Sequence, residues 1–593
     1  MLKPMQTAVT RGIFRERMDL NRSYLLELDP QCLLQNFYLE AGIIMPGLQV
    51  VPEPEHADLH WGWESPTCQL RGHFLGHWMS AAARVIASEK NAVLQQKLDF
   101  IVSELARCQQ RNGGEWVGSI PEKYFDWMCT PDYIWSPQYT LHKTVMGLTD
   151  AYRYADNSQA LEIVSRLADW YLKWTERQPD GIYKGEQGGM LEEWAELFAL
   201  TGDEKYRTLI ARYRDNYIYT KLMNESDALS DDHANASIPN IHGAARMYEI
   251  TGDEHWKKLT ETFWKQAVTE RGMYATTGQN AGEFWIPPRS QARYLGANDQ
   301  EFCTVYNMVR TADYLYRRTG DVQYADYIER ALYNGFLAQQ NRQTGMPAYF
   351  LPLGMGSRKK WGSKRHDFWC CHGTMIQAQT LYPELIAYAD PEHDEVRIAQ
   401  YIPSVSTLDM GGNTLTITLD PDMCDHNNQV FFEEHGSSEK SRWSFRVSVH
   451  CDKPQRFTLK LRVPVWAKGC TFLLDGSTVT GSSENGYISI TQEWMNETLQ
   501  IRFGSGITAE RLPDQQELAA ILEGPVVLAG LTDRDCGLQG EPADVLMPRT
   551  EHTYSTYPWK QSCFVTRDQP ENFRFIPLYE VNDETYTVYF SLR

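Results

Sequence analysis

WAELFALTGDEKYRTLI, Trp194–Ile210, is the stretch that decides the fold. Leu197 and Phe198 before its centre, and Tyr206 and Leu209 after it, are spaced as on one face of a helix. Between them Gly202 suits a left-handed C-cap, and Asp203 suits the start of a second helix. The stretch therefore reads as two helices joined by a tight turn. The same unit recurs as TDAYRYADNSQALEIVSRL from Thr149, GAARMYEITGDEHWKKL from Gly243 and TADYLYRRTGDVQYADYI from Thr311. The turn aspartates Asp156, Asp203, Asp253 and Asp321 lie 47, 50 and 68 residues apart. A helical-hairpin period of about 50 residues means an open solenoid or a closed toroid of hairpins. Insertions rich in Gly, Trp and His separate the units, as active-site loops would, which favours the closed barrel.

Near Asp390 the pattern changes. TLTITLD, RWSFRVSVH, FTLKLRVPVWA, CTFLLDG, GYISITQEW and TLQIRFG alternate apolar and polar residues between turns, the pattern of an antiparallel β-sandwich. The reading is a mainly α, multidomain chain: a catalytic barrel over 1–390 and a β-sandwich region of one or two small domains over 391–593. The β region is expected to brace the barrel.

At 593 residues the chain is too long for one ordinary core. Its net charge of −20 argues against nucleic acid or an anionic membrane surface as partner. The N-terminal segment lacks the apolar stretch of a signal peptide. No later stretch reaches the ~20 apolar residues of a membrane span; LAAILEGPVVLAGL is broken by Glu523, Gly524 and Pro525. A soluble, cytoplasmic protein is expected, with a homodimer allowed. Twelve cysteines are too sparse for a disulfide scaffold.

Three of those cysteines stand apart. Cys370 and Cys371 are adjacent in FWCCHGT, and Cys303 follows Glu301 in NDQEFCTVYN. Adjacent cysteines rarely bond to each other, because the geometry is strained. One carboxylate and three thiolates suit a tetrahedral zinc, the alternative being two unrelated buried clusters, and a barrel this large needs no metal staple. A second group of residues suits carbohydrate. Glu283 follows a Gly/Asn-rich turn in TGQNAGEFW, as a catalytic acid on a loop would. Glu64, His73 and His77 occur in GWESPTCQLRGHFLGHW, His142 in YTLHKTVMGL, and His233 in DHANASIP, all near the ends of hairpin units.

RMDLNRSYLLELDPQCLLQNFYLEAG, then GWE, LRGHFLGHW, HKTVMGL, HAN, GEFW, E-x-C and FWCCHGT, in that order, resemble the β-L-arabinofuranosidase family of glycoside hydrolases over nearly the whole chain. The resemblance implies an (α/α)6 barrel with β-sandwich domains and a retaining exo-hydrolase acting on a glycoside or oligosaccharide. It implies Zn2+ held by Glu301, Cys303, Cys370 and Cys371, with Cys370 as nucleophile and Glu283 as acid/base. His142, His233, Glu64 and His73 would bind the sugar. The acid role calls for a raised pKa at Glu283. The competing readings are an (α/α)6 uronide hydrolase or sugar epimerase, and a non-catalytic sugar-binding protein with a structural zinc.

Overall fold

The computed structural model describes residues 1–44, 59–421, 443–479, 482–534, 536–551 and 560–593. Six helices, His73–Glu89, Pro137–Ala155, Met190–Thr201, Ala234–Thr251, Phe302–Thr319 and Cys370–Ala378, pack each against the next. The last packs back against the first, so the ring is closed. Ala92–Arg111, Ser158–Arg177, Glu204–Arg212, Glu254–Trp264 and Val322–Ala331 each follow one of these and cover its outside. The inner helices are buried nearly all round, as in Ala81, Ala82 and Ala83, whereas Ser158–Arg177 buries one face only.

The turns form as local chemistry dictates. Gly202, Gly252 and Gly320 are left-handed C-caps, and Asp203, Asp253 and Asp321 each accept a backbone N–H two residues on. The first turn reverses the parts. Asp156 is itself left-handed (φ 55°) and Asn157 caps the next helix. Asp tolerates that region better than most residues, and the Asn side-chain oxygen accepts as well as a carboxylate does.

Glycines set how closely two inner helices approach. A Cβ on Gly76 would drive into the carbonyl of Lys143, and one on Gly147 would lie 2.8 Å from the Gly76 oxygen. His73–Glu89 and Pro137–Ala155 therefore touch backbone to backbone, which explains the glycines of LGHW and VMGL.

Behind the ring, two sheets face each other. One runs Lys3–Pro4, Ala387–Asp390, Glu395–Ile398, Gln455–Arg462, Tyr487–Trp494, Ser482–Glu484. The other runs Ser477–Thr478, Cys470–Leu474, Thr498–Phe503, Ser444–Cys451, Thr414–Pro421, Ser404–Asp409, Gln6–Val9. The alternating segments read from sequence are strands here, except Val463–Ala467, which is loop, and the end residues Trp443, Asp475, Gly476, Gly486 and Gly504; Arg442 lies outside the described residues. The chain's first residues thus add strands to both sheets of the sandwich, while Leu2 N donates to Arg317 O of the barrel at 2.9 Å. A third sheet, Ile507–Leu512 to Tyr589–Ser591, shares an apolar core with barrel-loop residues Tyr274, Ile286, Leu351 and Leu353. It braces the two loops on which Glu283 and Tyr349 stand. Among the described residues no helix is long and apolar enough to cross a membrane.

Candidate active site

Two inner helices begin at one spot. Glu301 is the N-cap of Phe302–Thr319, Cys303 lies in its first turn, and Cys370 is the first residue of Cys370–Ala378. Just before the pair, Phe368 is left-handed (φ 48°), a strained conformation for a bulky residue, with its ring buried against His60 and Phe74. Gly373 follows because a Cβ there would collide with the ring of His77.

Glu301, Cys303, Cys370 and Cys371 are all buried, and their donor atoms lie within 4.8 Å of one another. Cys303 Sγ is 3.3 Å from Cys371 Sγ, which is 4.0 Å from Cys370 Sγ, and Glu301 Oε1 is 3.9 Å from Cys370 Sγ. Burial pushes the Glu301 carboxyl and the Cys303 and Cys371 thiols well up. Hydrogen bonds from Cys303 and Cys371 hold Cys370 well down, and the positive end of its helix favours a thiolate there too. Four crowded acids out of water cannot all ionise unaided; a bound cation removes the conflict. Three thiolates and one carboxylate fit a metal with soft affinity and tetrahedral habit.

Glu283 sits at the tip of a small hairpin, between strands Asn280–Ala281 and Phe284–Trp285. Its backbone carbonyl accepts from Ala234 N at 2.8 Å. His233 caps Ala234–Thr251 by accepting the Ala236 N–H at Nδ1, 3.1 Å. That leaves its Nε2, 3.5 Å from Glu283 Oε2, to carry the proton. The Tyr349 hydroxyl donates to Glu283 Oε1 and lies 3.5 Å from Cys370 Sγ. The hydrogen bond from His233, reinforced by Tyr349, holds the Glu283 carboxyl below its ordinary value although burial opposes it. The expected raised pKa is therefore not found. Burial pushes His233 down, but its hydrogen bond to Glu283 wins and raises it, so the pair keeps its proton on the imidazole.

The other residues singled out in the sequence divide. His142 is buried and 3.8 Å from Glu193 Oε1. It lines a narrow cavity of about 30 Å³ with His77, Tyr139, Lys143, Asn235 and Thr374. Thr374 Oγ1 is 3.1 Å from Cys303 Sγ, so this cavity adjoins the cysteines. His73 is buried, with Nδ1 3.1 Å from Leu70 O and 3.0 Å from Glu64 Oε1. Among the described residues, the Nε2 atoms of His73, His77 and His142 have no hydrogen-bond partner. Glu64 is engaged internally: its carboxylate accepts from Gly72 N (2.6 Å), Phe74 N (3.0 Å) and Asn36 Nδ2 (3.1 Å). It anchors the start of His73–Glu89.

A larger cavity of about 140 Å³ lies farther along the same helices and is lined by ion-paired residues such as Arg310 and Glu192 (2.5 Å). None of the cysteines or Glu283 lines it. None of them lines the smaller cavity either, but its wall residue Thr374 touches Cys303.

Two residues here escaped the sequence reading. Tyr349, in MPAYFLPLG, carries no motif. Glu186, in a glycine-flanked loop, lies in the field of His233, Cys370 and Glu283, and burial pushes its carboxyl up.

A ring of helical hairpins with a β-sandwich behind it, together with the family match, makes this chain a glycoside hydrolase. A family model described as the β-L-arabinofuranosidase GH127 catalytic domain matches residues 6–384, and one described as the GH127 middle domain matches 395–503. The chain belongs to the GH127 β-L-arabinofuranosidase family. Among solved structures, one described as a GH127 β-arabinofuranosidase aligns at TM-score 0.75 and 17% identity, over 100% of this chain and 98% of that one. A GH127 β-L-arabinofuranosidase from Geobacillus stearothermophilus T6 aligns at TM-score 0.72 and 16% identity, over 99% and 100%. A third, described as a glycoside hydrolase, aligns at 0.71 and 15%, over 99% and 96%. No curated protein matches the sequence.

Proposed function

We propose that this chain is a retaining exo-hydrolase that releases terminal β-L-arabinofuranosyl residues, with Cys370 as nucleophile and Glu283 as acid/base. The observation that carries the reading is the Tyr349 hydroxyl, which touches both groups. One bridging oxygen between acid and nucleophile is the compact spacing of a double displacement, not the ~6.5–9.5 Å that leaves room for a water.

Glu301, Cys303, Cys370 and Cys371 would hold zinc. When bound it keeps the thiols deprotonated and tempers the nucleophilicity of Cys370. In the first step Cys370 Sγ attacks the anomeric carbon while Glu283 gives a proton to the glycosidic oxygen. The C–O bond breaks, a C–S bond forms, and the leaving group departs as an alcohol. In the second step Glu283 takes a proton from water as that water attacks the same carbon; the C–S electron pair returns to Cys370. Two inversions give retention. His233, with its tautomer fixed by Ala236 N, passes its Nε2 proton to Glu283 before the first step and takes it back after the second. His73 and His142 offer their unpartnered Nε2 atoms to the sugar hydroxyls, and Glu64 acts by orienting His73. Residues 1–390 carry this chemistry and 391–593 brace it. A site that works only as thiolates suits a reducing compartment such as the cytoplasm.

The test is a mechanism-based label with L-arabinofuranose configuration, an epoxide or haloacetamide, followed by mass mapping. Label on Cys370 is expected. Label on Cys371 would reverse the assignment, and label on Glu283 or Glu301 would overturn the cysteine mechanism.

A further inference from the structure

The acid that protonates a glycosidic oxygen must face the leaving group, so whatever continues outward from Glu283 meets the rest of the substrate. What continues outward is Phe284. Its side chain is 51% exposed, although it stands on a short, firmly held hairpin. Trp285 next to it is buried, with its indole N–H on Ser237 Oγ at 2.8 Å. Gly282 N donates to Asn298 O at 2.7 Å, and the Asn280 side-chain amide donates to Gly282 O at 2.6 Å. Phe284 also forms a lone backbone bridge with His233, and its ring meets the His233 ring edge-on at 5.7 Å.

On a hairpin held this firmly, the Phe284 ring stays half exposed beside the acid. A second exposed ring stands in the field of Asp232 and Glu186. Tyr217, 50% exposed, begins Tyr217–Asn224, a helix tied to the His233 loop by Lys221 Nζ on Asp232 at 2.6 Å. Furanose and pyranose rings present a face of C–H bonds, which aromatic faces bind by apolar contact while the hydroxyls stay in water.

We propose that Phe284, on the hairpin that carries Glu283, is a stacking platform for the sugar that carries the arabinofuranosyl residue, with Tyr217 as a second ring, so that the enzyme prefers saccharide leaving groups to small alcohols. This rests on the assignment of Glu283 as the acid.

The test compares kcat/KM on a disaccharide ending in a β-L-arabinofuranosyl residue with kcat/KM on methyl β-L-arabinofuranoside. Both leave as poor alcohols, so the ratio reports leaving-group binding and not acid strength. Phe284→Ala is expected to lower the disaccharide-to-methyl ratio about fivefold to tenfold, chiefly through KM, the range of one aromatic contact. Phe284→Leu, which keeps apolar bulk but no ring face, should lower it nearly as far, and Phe284→Trp should keep it. Equal losses on both substrates, restored by Phe284→Leu, would show a ring that merely packs His233 and would overturn the platform. A ratio unchanged in Phe284→Ala would overturn it too. Failure of the unaltered enzyme to cleave either substrate would instead overturn the arabinofuranosidase reading, and the platform with it.

Discussion

Gly76→Ala sets two effects of opposite sign against each other. In a helix interior alanine is better than glycine by about 1 kcal/mol, so propensity alone predicts a more stable protein. Packing predicts the reverse. A Cβ at Gly76 runs into the Lys143 carbonyl, which belongs to the neighbouring helix's backbone and cannot rotate away. The two helices must part. At Gly147 the new Cβ would sit 2.8 Å from the Gly76 oxygen, about 0.7 Å short of an ordinary ~3.5 Å contact. Gly147→Ala therefore needs a shift of under 1 Å and Gly76→Ala one of more than that. Overpacking costs about 1–3 kcal/mol; the deeper clash puts Gly76→Ala in the upper half of that range, so after the propensity gain it should be net destabilising by about 1–2 kcal/mol, with Gly147→Ala closer to neutral. Activity should suffer more than stability. His73 and His77 lie on one of the parted helices and His142 on the other, and a 1 Å misplacement costs on the order of 100-fold. Chemical denaturation and kcat/KM, measured on both variants, decide it. A Gly76→Ala protein more stable than the parent, or equally active, would refute the close-approach reasoning.

Two further predictions concern the site. Tyr349→Phe removes a hydrogen-bond donor from Glu283, worth about 1.5–3 kcal/mol when the acceptor is charged. It should cost roughly 10- to 100-fold in kcat/KM. Because that donor lowers the carboxyl's pKa, its loss raises it, so the alkaline limb of the kcat/KM–pH profile, where the acid is lost, should move to higher pH; a limb that stays or moves down would contradict the contact. For the metal, elemental analysis should find one zinc per chain, and chelation should lower the thermal midpoint as the four buried acids lose their counter-charge. Clearly less than one equivalent, with no rise in midpoint on adding zinc, would remove the metal from the account.

Much of this molecule was legible in its sequence because it is local. A helix period interrupted by Gly-Asp fixes a hairpin with no reference to the rest of the chain, and alternation fixes a strand equally well. The donor types of Glu301-x-Cys303 and Cys370-Cys371 were plain for the same reason. The resemblance supplied roles for Glu283 and Cys370 that spacing alone would not. Tertiary structure decided the rest. Identical hairpins can stack into an open solenoid or close into a ring, and the difference lies in contacts such as His77 Nδ1 with Gln377 at 2.5 Å, 300 residues apart. Closure is what brings the start of Phe302–Thr319 against the start of Cys370–Ala378 and turns two separate motifs into one cluster. Tyr349 was invisible because its role depends on a loop that the third sheet holds in place, and a lone tyrosine carries no pattern. The direction of the Glu283 shift was misjudged because a pKa is set by which partners arrive from elsewhere in the chain, here His233 and Tyr349, and not by the residues beside it.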